Sequence, residues 1–249
     1  VANSIEFNST DLSDYGLIVN GSNIPDFNQV YDSVLIKDLS YAFTPKRPPK
    51  IISLNVSVIA TTRAILDGYL DNIKLATVFE VAKVLKLDAI TDRYWNAKNT
   101  AFEGRYMAPG WFEGIMIFQA DDPMAYDNSA VSNTYNIDAD PDTNVETPGG
   151  NGYIFPVYTL TAGELLTTVT IKVENTTTDE ELQFIGTVAS GKALVINTAT
   201  WVVTNDGTED MADVTGKFPR LKPGVANSIK VTAFSTTGTL NVAYRNRYL

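Results

Sequence analysis

The 249-residue chain contains no cysteine and no histidine. Without thiols there is no disulfide, no thiolate nucleophile and no Cys/His zinc site, and without imidazole the side chain most often used for proton transfer near neutral pH is missing. Cations are also scarce: 19 Lys and Arg stand against 29 Asp and Glu, a formal charge of −10 with a pI near 4.5. A field of that sign repels phosphate backbones and anionic lipid, so no specific nucleic-acid binding is expected. No apolar run approaches the roughly 18 residues that span a bilayer. The opening "VANSIEFNSTDLSDYG" lacks the basic start and apolar stretch of a signal peptide. The expectation is a soluble protein made in a cytoplasm, with no membrane insertion.

What is present is a globular balance, 44% hydrophobic and 19% charged, on a length that suits two domains of ordinary size. In the first half, "SVLIKDLSYAF" reads as a strand, "TPKRPPK" breaks it, and "IISLNVSVI" alternates Ile52, Leu54, Val56 and Val58 against Ser53, Asn55 and Ser57. Thr61 or Thr62 can cap a following helix near 62–78, whose Ile65, Leu66, Tyr69, Leu70 and Ile73 share one side while Arg63, Asp67, Asp71 and Lys74 take the other. The Arg63 and Asp67 pair adds a few tenths of a kcal/mol at most, so the apolar stripe must fix the helix on a sheet. "KVLKLDA", "DRYWNAK" and "WFEGIMIFQA" supply further strands.

Between about Asp127 and Gly152 the pattern dissolves into Asn, Asp, Pro and Gly. The expected division is a first domain over 1–137, a linker over 138–151 and a second domain over 152–249. In the last, seven short β-type runs from "YIFPVYTLTA" to "LNVAYRNRYL" are separated by turn signals such as "NDG" (Asn205 to Gly207) and "KPG" (Lys222 to Gly224), which implies an all-β sandwich. Val169, Ile171 and Val173 face its core.

Candidate chemistry is thin. Asp138, Asp140, Asp142 and Asn144 have the alternating spacing of a calcium loop, yet Thr143 and Gly149 stand where an EF-hand needs Gly and Glu, so a solvated acidic linker is the simpler reading. Asp121 and Asp122 are adjacent and would point to opposite faces of a strand, which does not suit a catalytic carboxylate pair. "TPGGNG" lacks the Lys and helix of a phosphate cradle and reads as a flexible hinge. Serines abound, but an activating base is missing. Trp95, Trp111 and Trp201 could stack on sugars, although aromatics in strands are more often core or interface. Lys46, Arg47 and Lys50 form a basic loop too small to override the net charge. No catalytic, cofactor-binding or metal-binding residue is assigned, and the chain is not expected to be an enzyme.

The joint order of these segments resembles the distal tail protein (Dit) family of siphophages. The resemblance is carried by "YGLIVNG", "PPKIISLNVSVIATTRAILDGYLDNIKLATV", "LKLDAITDRYWNAK" and "FEGIMIFQADDPMAY" in the first half. In the second it is carried by "NGYIFPVYTLTA", "TTVTIKVENTTTDEELQFIGTVASGKALVINTATWVV" and "GKFPRLKPGVANSIKV". It implies a mainly β protein with an N-terminal split β-barrel bearing one α-helix and a C-terminal galectin-like β-sandwich. It also implies a homo-oligomeric, six-fold ring in the phage virion. That ring would join the tail-tube protein to the tail-hub protein, and to receptor-binding or side-fibre proteins, with DNA passing through its centre. An acidic channel would let DNA slide without sticking. No segment is long enough for the inserted arm that some members use to grip the receptor-binding protein. Two other readings stand beside it: a carbohydrate-binding module contacting the host surface, and the tail-tube protein itself.

Overall fold

The computed structural model describes residues 4–23, 33–36, 39–42, 48–174, 179–233 and 237–249, with backbone alone for 33–36 and 39–42. Lys46 and Arg47 of the basic loop lie outside the described residues. The protein is mainly β with one α-helix, and its contacts divide it into two compact units, Val1–Tyr126 with Leu249, and Asp127–Tyr248.

The first unit contains β1 (Ile5–Phe7), β2 (Thr10–Asp11), β3 (Leu17–Asn23), β4 (Ser33–Ile36), β5 (Leu39–Ala42), β6 (Lys50–Ile59), α1 (Arg63–Thr77), β7 (Lys83–Leu87), β8 (Ile90–Ala108), β9 (Trp111–Ala120) and the start of β10 (Ala125–Asp127). Its main sheet runs β2-β1-β7-β8-β9-β6-β3, with antiparallel neighbours throughout. The even-numbered side chains of β6 and β9, Ile52 to Val58 and Phe112 to Ala120, form the buried face, as the alternation of "IISLNVSVI" requires. Helix α1 covers that face. Thr62 is its cap, accepting a hydrogen bond from the Ile65 amide at 3.3 Å. Leu66, Leu70, Ile73 and Thr77 are its buried residues. Ile65, expected on the same side, sits in the first turn and is 43% exposed.

The sheet curls strongly. Phe7 on β1 meets Phe118 on β9 with ring centroids 5.2 Å apart, although β7 and β8 lie between those strands in the hydrogen-bonded order. Among the described residues the sheet does not close: β2 and β3 are its two ends. Two segments differ from what the sequence led us to expect. "SVLIKDLSYAF" is an antiparallel pair, β4 with β5, rather than one strand. β8 also continues well past "DRYWNAK" to Ala108, with irregularities at Asn99/Ala101 and Tyr106/Ala108 that shift the alternation and hide the strand from a period-two search.

The second unit contains β11 (Val131–Asn136), β12 (Asp142–Glu146), β13 (Val157–Ala162), β14 (Val169–Glu174), β15 (Asp179–Phe184), β16 (Ala193–Asn197), β17 (Val202–Asn205), β18 (Thr208–Glu209), β19 (Val214–Gly216), β20 (Asn227–Ala233), β21 (Gly238–Tyr244) and β22 (Arg247–Tyr248). Two sheets, β11-β21-β13-β16-β17-β18 and β12-β20-β14-β15-β19, share one apolar core that includes Tyr158, Leu160, Ile171, Phe184, Ile196, Val231 and Val242. All seven expected runs are strands. The "NDG" signal makes the β17 to β18 hairpin, with Asp206 and Gly207 both at positive φ (51° and 80°), as a type I′ turn needs.

The expected linker over 138–151 is where the structure departs most from the sequence. The second unit begins at Asp127, β11 pairs with β21, and β12 pairs with β20, so these polar segments are edge strands of the two sheets. Their side chains alternate between half-exposed and exposed because one side of each faces water, which leaves little apolar signal. The glycine-rich stretch is not a free hinge either. Asn151 and Gly152 both donate backbone hydrogen bonds to the Arg247 carbonyl, at 3.0 and 3.1 Å. Gly150, at φ 83°, lies so close that a Cβ there would meet that carbonyl oxygen at 2.3 Å.

Candidate functional site

Among the described residues, one side of the first unit's main sheet is largely exposed, although Ser57 on it is buried and accepts from the Asn20 side chain at 2.6 Å. Opposite the face packed on α1, the odd-numbered residues of β6 and β9 and their partners on β8 form rows across three strands. These rows are Ile51 with Gln119 and Lys98, Ser53 with Ile117 and Ala101, Asn55 with Ile115 and Glu103, Ser57 with Glu113 and Arg105, and Ile59 with Trp111. Ile51, Ile59, Trp111 and Ile115 are 40–50% exposed. Large apolar side chains on a bare sheet face, spaced by Ser, Asn and Gln, resemble an interface with a polar rim more than the outside of a monomer.

The centre of this face is a depression of about 590 Å³ above Gly104 and Gly114, which are direct cross-strand partners. A Cβ on Gly104 would come within 2.2 Å of the Glu113 carbonyl oxygen, and one on Gly114 within 2.3 Å of the Glu103 carbonyl oxygen. On the other side of the sheet the Phe112 ring lies over both glycines and meets Phe102 and Tyr106 edge-on at 5.5 and 5.6 Å. The glycine pair therefore lets an aromatic ring fill one face and leaves the other concave. Glu103 and Glu113 border the concavity beside Arg105, so its lining is acidic on balance.

Two further features frame this surface. β3 pairs only with β6 among the described residues, which leaves a row of backbone donors and acceptors along its other side. At the tip of the β8 to β9 hairpin, Tyr106 donates to Asp67 at 2.8 Å while the Arg63 guanidinium lies 3.3 Å from the centre of its ring and bonds the same carboxylate at 2.9 Å. The Tyr106 hydrogen bond, with Arg63 beside it, holds the Asp67 carboxyl below its usual range, and the same bond raises the Tyr106 phenol. The helix start and the hairpin tip are thereby tied together.

The residues singled out from the sequence do not gather in one place. Asp142 closes its own loop, accepting from the Asp138 amide at 2.9 Å and from the Asn144 side chain at 2.9 Å, and no group of three potential metal ligands occurs among the described residues. Asp121 accepts from Gln119 at 2.9 Å, whereas Asp122 accepts from the Tyr126 hydroxyl and the Met124 amide, so the two carboxylates work apart. Trp95 is buried, with the Lys50 ammonium 5.8 Å from its ring centre; Trp111 belongs to the bare sheet face; Trp201 is 68% exposed on the second unit.

Sequence reasoning missed a buried polar cluster in the second unit. Glu146 on β12, 3% exposed, accepts from Asn133 (2.8 Å) and Tyr135 (2.7 Å) on β11 and from Tyr244 (3.0 Å) on β21. Burial and the bond to Glu146 push the Tyr135 phenol up to about 12 and raise Tyr244 as well, so both remain donors at any ordinary pH. Asn227, fully buried, accepts from the Lys222 amide and donates to the carbonyls of Glu146, Lys222 and Val225, which locks the "KPG" turn to β12. Only the regular spacing of "KPGVAN" hinted at it. These clusters hold the sandwich together, and none offers an activated nucleophile or a proton relay.

Comparison with known proteins agrees with this picture. Residues 149–248 match the family model described as siphovirus-type tail component, C-terminal domain. No curated protein matches the chain by sequence. The solved SPP1 Dit protein, described as a paradigm of the hub adsorption apparatus in phages infecting Gram-positive bacteria, has the same fold, with a TM-score of 0.81 at 13% identity over 100% of both chains. Chains of the phage p2 baseplate in its activated conformation give 0.49 with calcium and 0.45 with strontium, both at 9% identity, covering 99% and 92% of this chain and 98% and 97% of theirs. Residues 149–248 thus carry the siphovirus-type tail component C-terminal domain, and the chain as a whole has the fold of the SPP1 Dit protein.

Proposed function

We propose that the protein forms a closed homo-oligomeric ring, six-fold in number, at the end of the tail tube and joins that tube to the tail hub, with DNA passing through the centre. The observation that carries this reading is the first unit's largely exposed sheet face together with the side of β3 that is unpaired among the described residues. An edge strand of that kind invites pairing with another chain, and closed rotational symmetry satisfies every copy at once and leaves no free edge. The charge distribution supports a conduit. The first unit has 11 Lys and Arg against 15 Asp and Glu, the second 8 against 14, so neither unit offers a phosphate backbone net attraction. The ring is assembled in the host cytoplasm as part of the virion, with the first units forming it. Receptor-binding or side-fibre proteins are its further neighbours.

Electron microscopy and mass photometry of the purified protein, alone and mixed with its tail-tube and hub partners, test the proposal. Rings that stop at one or two layers are expected. A strictly monomeric mass with both partners present would overturn the ring, and long tubes would make this the tail-tube protein instead.

A further inference from the structure

Trp201 is the most exposed tryptophan of the chain, and its conformation is costly. It ends the four-residue loop between β16 and β17 at φ 59°, a left-handed position where a bulky side chain is strained and glycine is the usual occupant. The loop holds it there firmly. The Asn197 side-chain oxygen accepts from the amides of Ala199 (3.1 Å) and Thr200 (3.2 Å), and both the amide and the hydroxyl of Thr198 donate to the Pro156 carbonyl, at 3.2 and 2.8 Å. Strain at a large exposed aromatic, held rigidly and contributing nothing to the core, is what a ligand platform requires.

The indole borders a pocket of about 380 Å³ whose other walls include Phe155, Phe218, Lys217 and Arg220. That volume suits a small ligand. Its polar groups are mostly committed: Thr198 is bonded to Pro156, and Arg220 forms a two-pronged pair with Glu180 while lying 4.8 Å from the Tyr153 ring centre. The Lys217 ammonium forms no salt bridge among the described residues, although its charge helps to lower the nearby Glu180 carboxyl. The pocket thus presents flat aromatic surface beside a cation that forms no salt bridge. We propose that it is a binding site for a saccharide bearing an acid group, the C–H face of a sugar ring resting on Trp201 and the carboxylate or phosphate reaching Lys217. The electron-rich indole face attracts the slightly positive C–H bonds, and Lys217 supplies the counter-charge. A nucleic-acid strand would present repeated phosphates to a unit whose carboxylates outnumber its cations, which opposes it. The site is independent of the ring.

Calorimetric titration of the full chain with three probes tests the proposal: a glucuronate-containing tetrasaccharide, its carboxyl-reduced neutral counterpart, and a glycosylated glycerol-phosphate oligomer. At least one acidic probe is expected to bind about tenfold more tightly than the neutral one, and the stronger of the two identifies the acid. Lys217→Gln should remove that advantage and leave the neutral probe unchanged. Trp201→Gly should weaken all binding by about tenfold or more, yet raise the melting temperature by about 2–4 °C as the left-handed strain is relieved. No binding of any probe, unchanged binding in Trp201→Gly, or equal affinity for acidic and neutral probes would each overturn the assignment.

Discussion

The two units solve the problem of burying a sheet in opposite ways. In the second, two sheets close on each other and every strand that faces inward meets an apolar partner from the opposite sheet. In the first, a single curled sheet has one face under α1, and among the described residues its other face is largely exposed and its β3 edge unpaired. The difference teaches where completeness lies. A sandwich of this kind can be stable by itself, whereas a half-covered sheet with large apolar side chains outward gains most from copies of itself.

This contrast can be broken by mutation. The largest effect is expected at Phe184, fully buried in the sandwich core: Phe184→Ala should cost about 3–5 kcal/mol and move only the urea transition that reports on the second unit. A loss spread over both transitions would mean that the units are not separately stable. Next is Gly114→Ala, which places a methyl group against the Glu103 carbonyl and the Phe112 ring. It should destabilise the first unit by about 1–3 kcal/mol, seen as a lower denaturant midpoint, and a neutral result would show that the glycine pair does not shape the concave face.

The Arg220 pair sets a smaller, pH-dependent effect. Burial raises the Glu180 carboxyl, but the hydrogen bonds from Arg220 outweigh it and hold the group below the ordinary glutamate value. A carboxyl depressed in the folded state contributes stability that is present above its unfolded pKa and lost as pH falls through the folded one. Arg220→Met should therefore cost about 1 kcal/mol near pH 7, and the gap from the unaltered protein should narrow as urea titrations are taken from about pH 6 down to about pH 3. A constant gap would point to lost packing instead. The smallest effect on folding, and the sharpest on assembly, is expected for Ile115→Ser on the bare face. Unfolding should change by less than about 0.5 kcal/mol while the ring yield in mass photometry falls. Unimpaired rings would remove this face from the interface.

Much of the architecture was legible because it follows period and turn chemistry. The helix declared itself through Leu66, Leu70 and Ile73 and the capping Thr62, and the seven sandwich runs through strict alternation such as Val169, Ile171 and Val173. Two kinds of element were not legible. β11 and β12 carry mostly polar residues because edge strands with one wet side need few apolar ones, so composition read them as linker. The far half of β8 is broken by irregularities and by Gly104, whose role depends on the Phe112 ring of the next strand. The candidate surfaces were hidden for a related reason. Trp95, Trp111 and Trp201 look alike as letters, and only the fold assigns one to a core, one to a bare face and one to a strained loop.

The Glu146 cluster has a consequence for how the sandwich comes apart. Its carboxylate belongs to one sheet and its three donors to the other, so it bridges the seam at the outer strands where fraying would ordinarily begin. Lifting β11 alone leaves the Glu146 carboxylate buried with only Tyr244, and lifting β12 alone leaves Tyr135, Asn133 and Tyr244 without their acceptor, so either opening leaves buried polar groups unpaired. The backbone amides of β11 and β12 should then exchange with deuterium only through whole-domain opening, at the slow rate of the central strands, even though both sit at the margin of the fold.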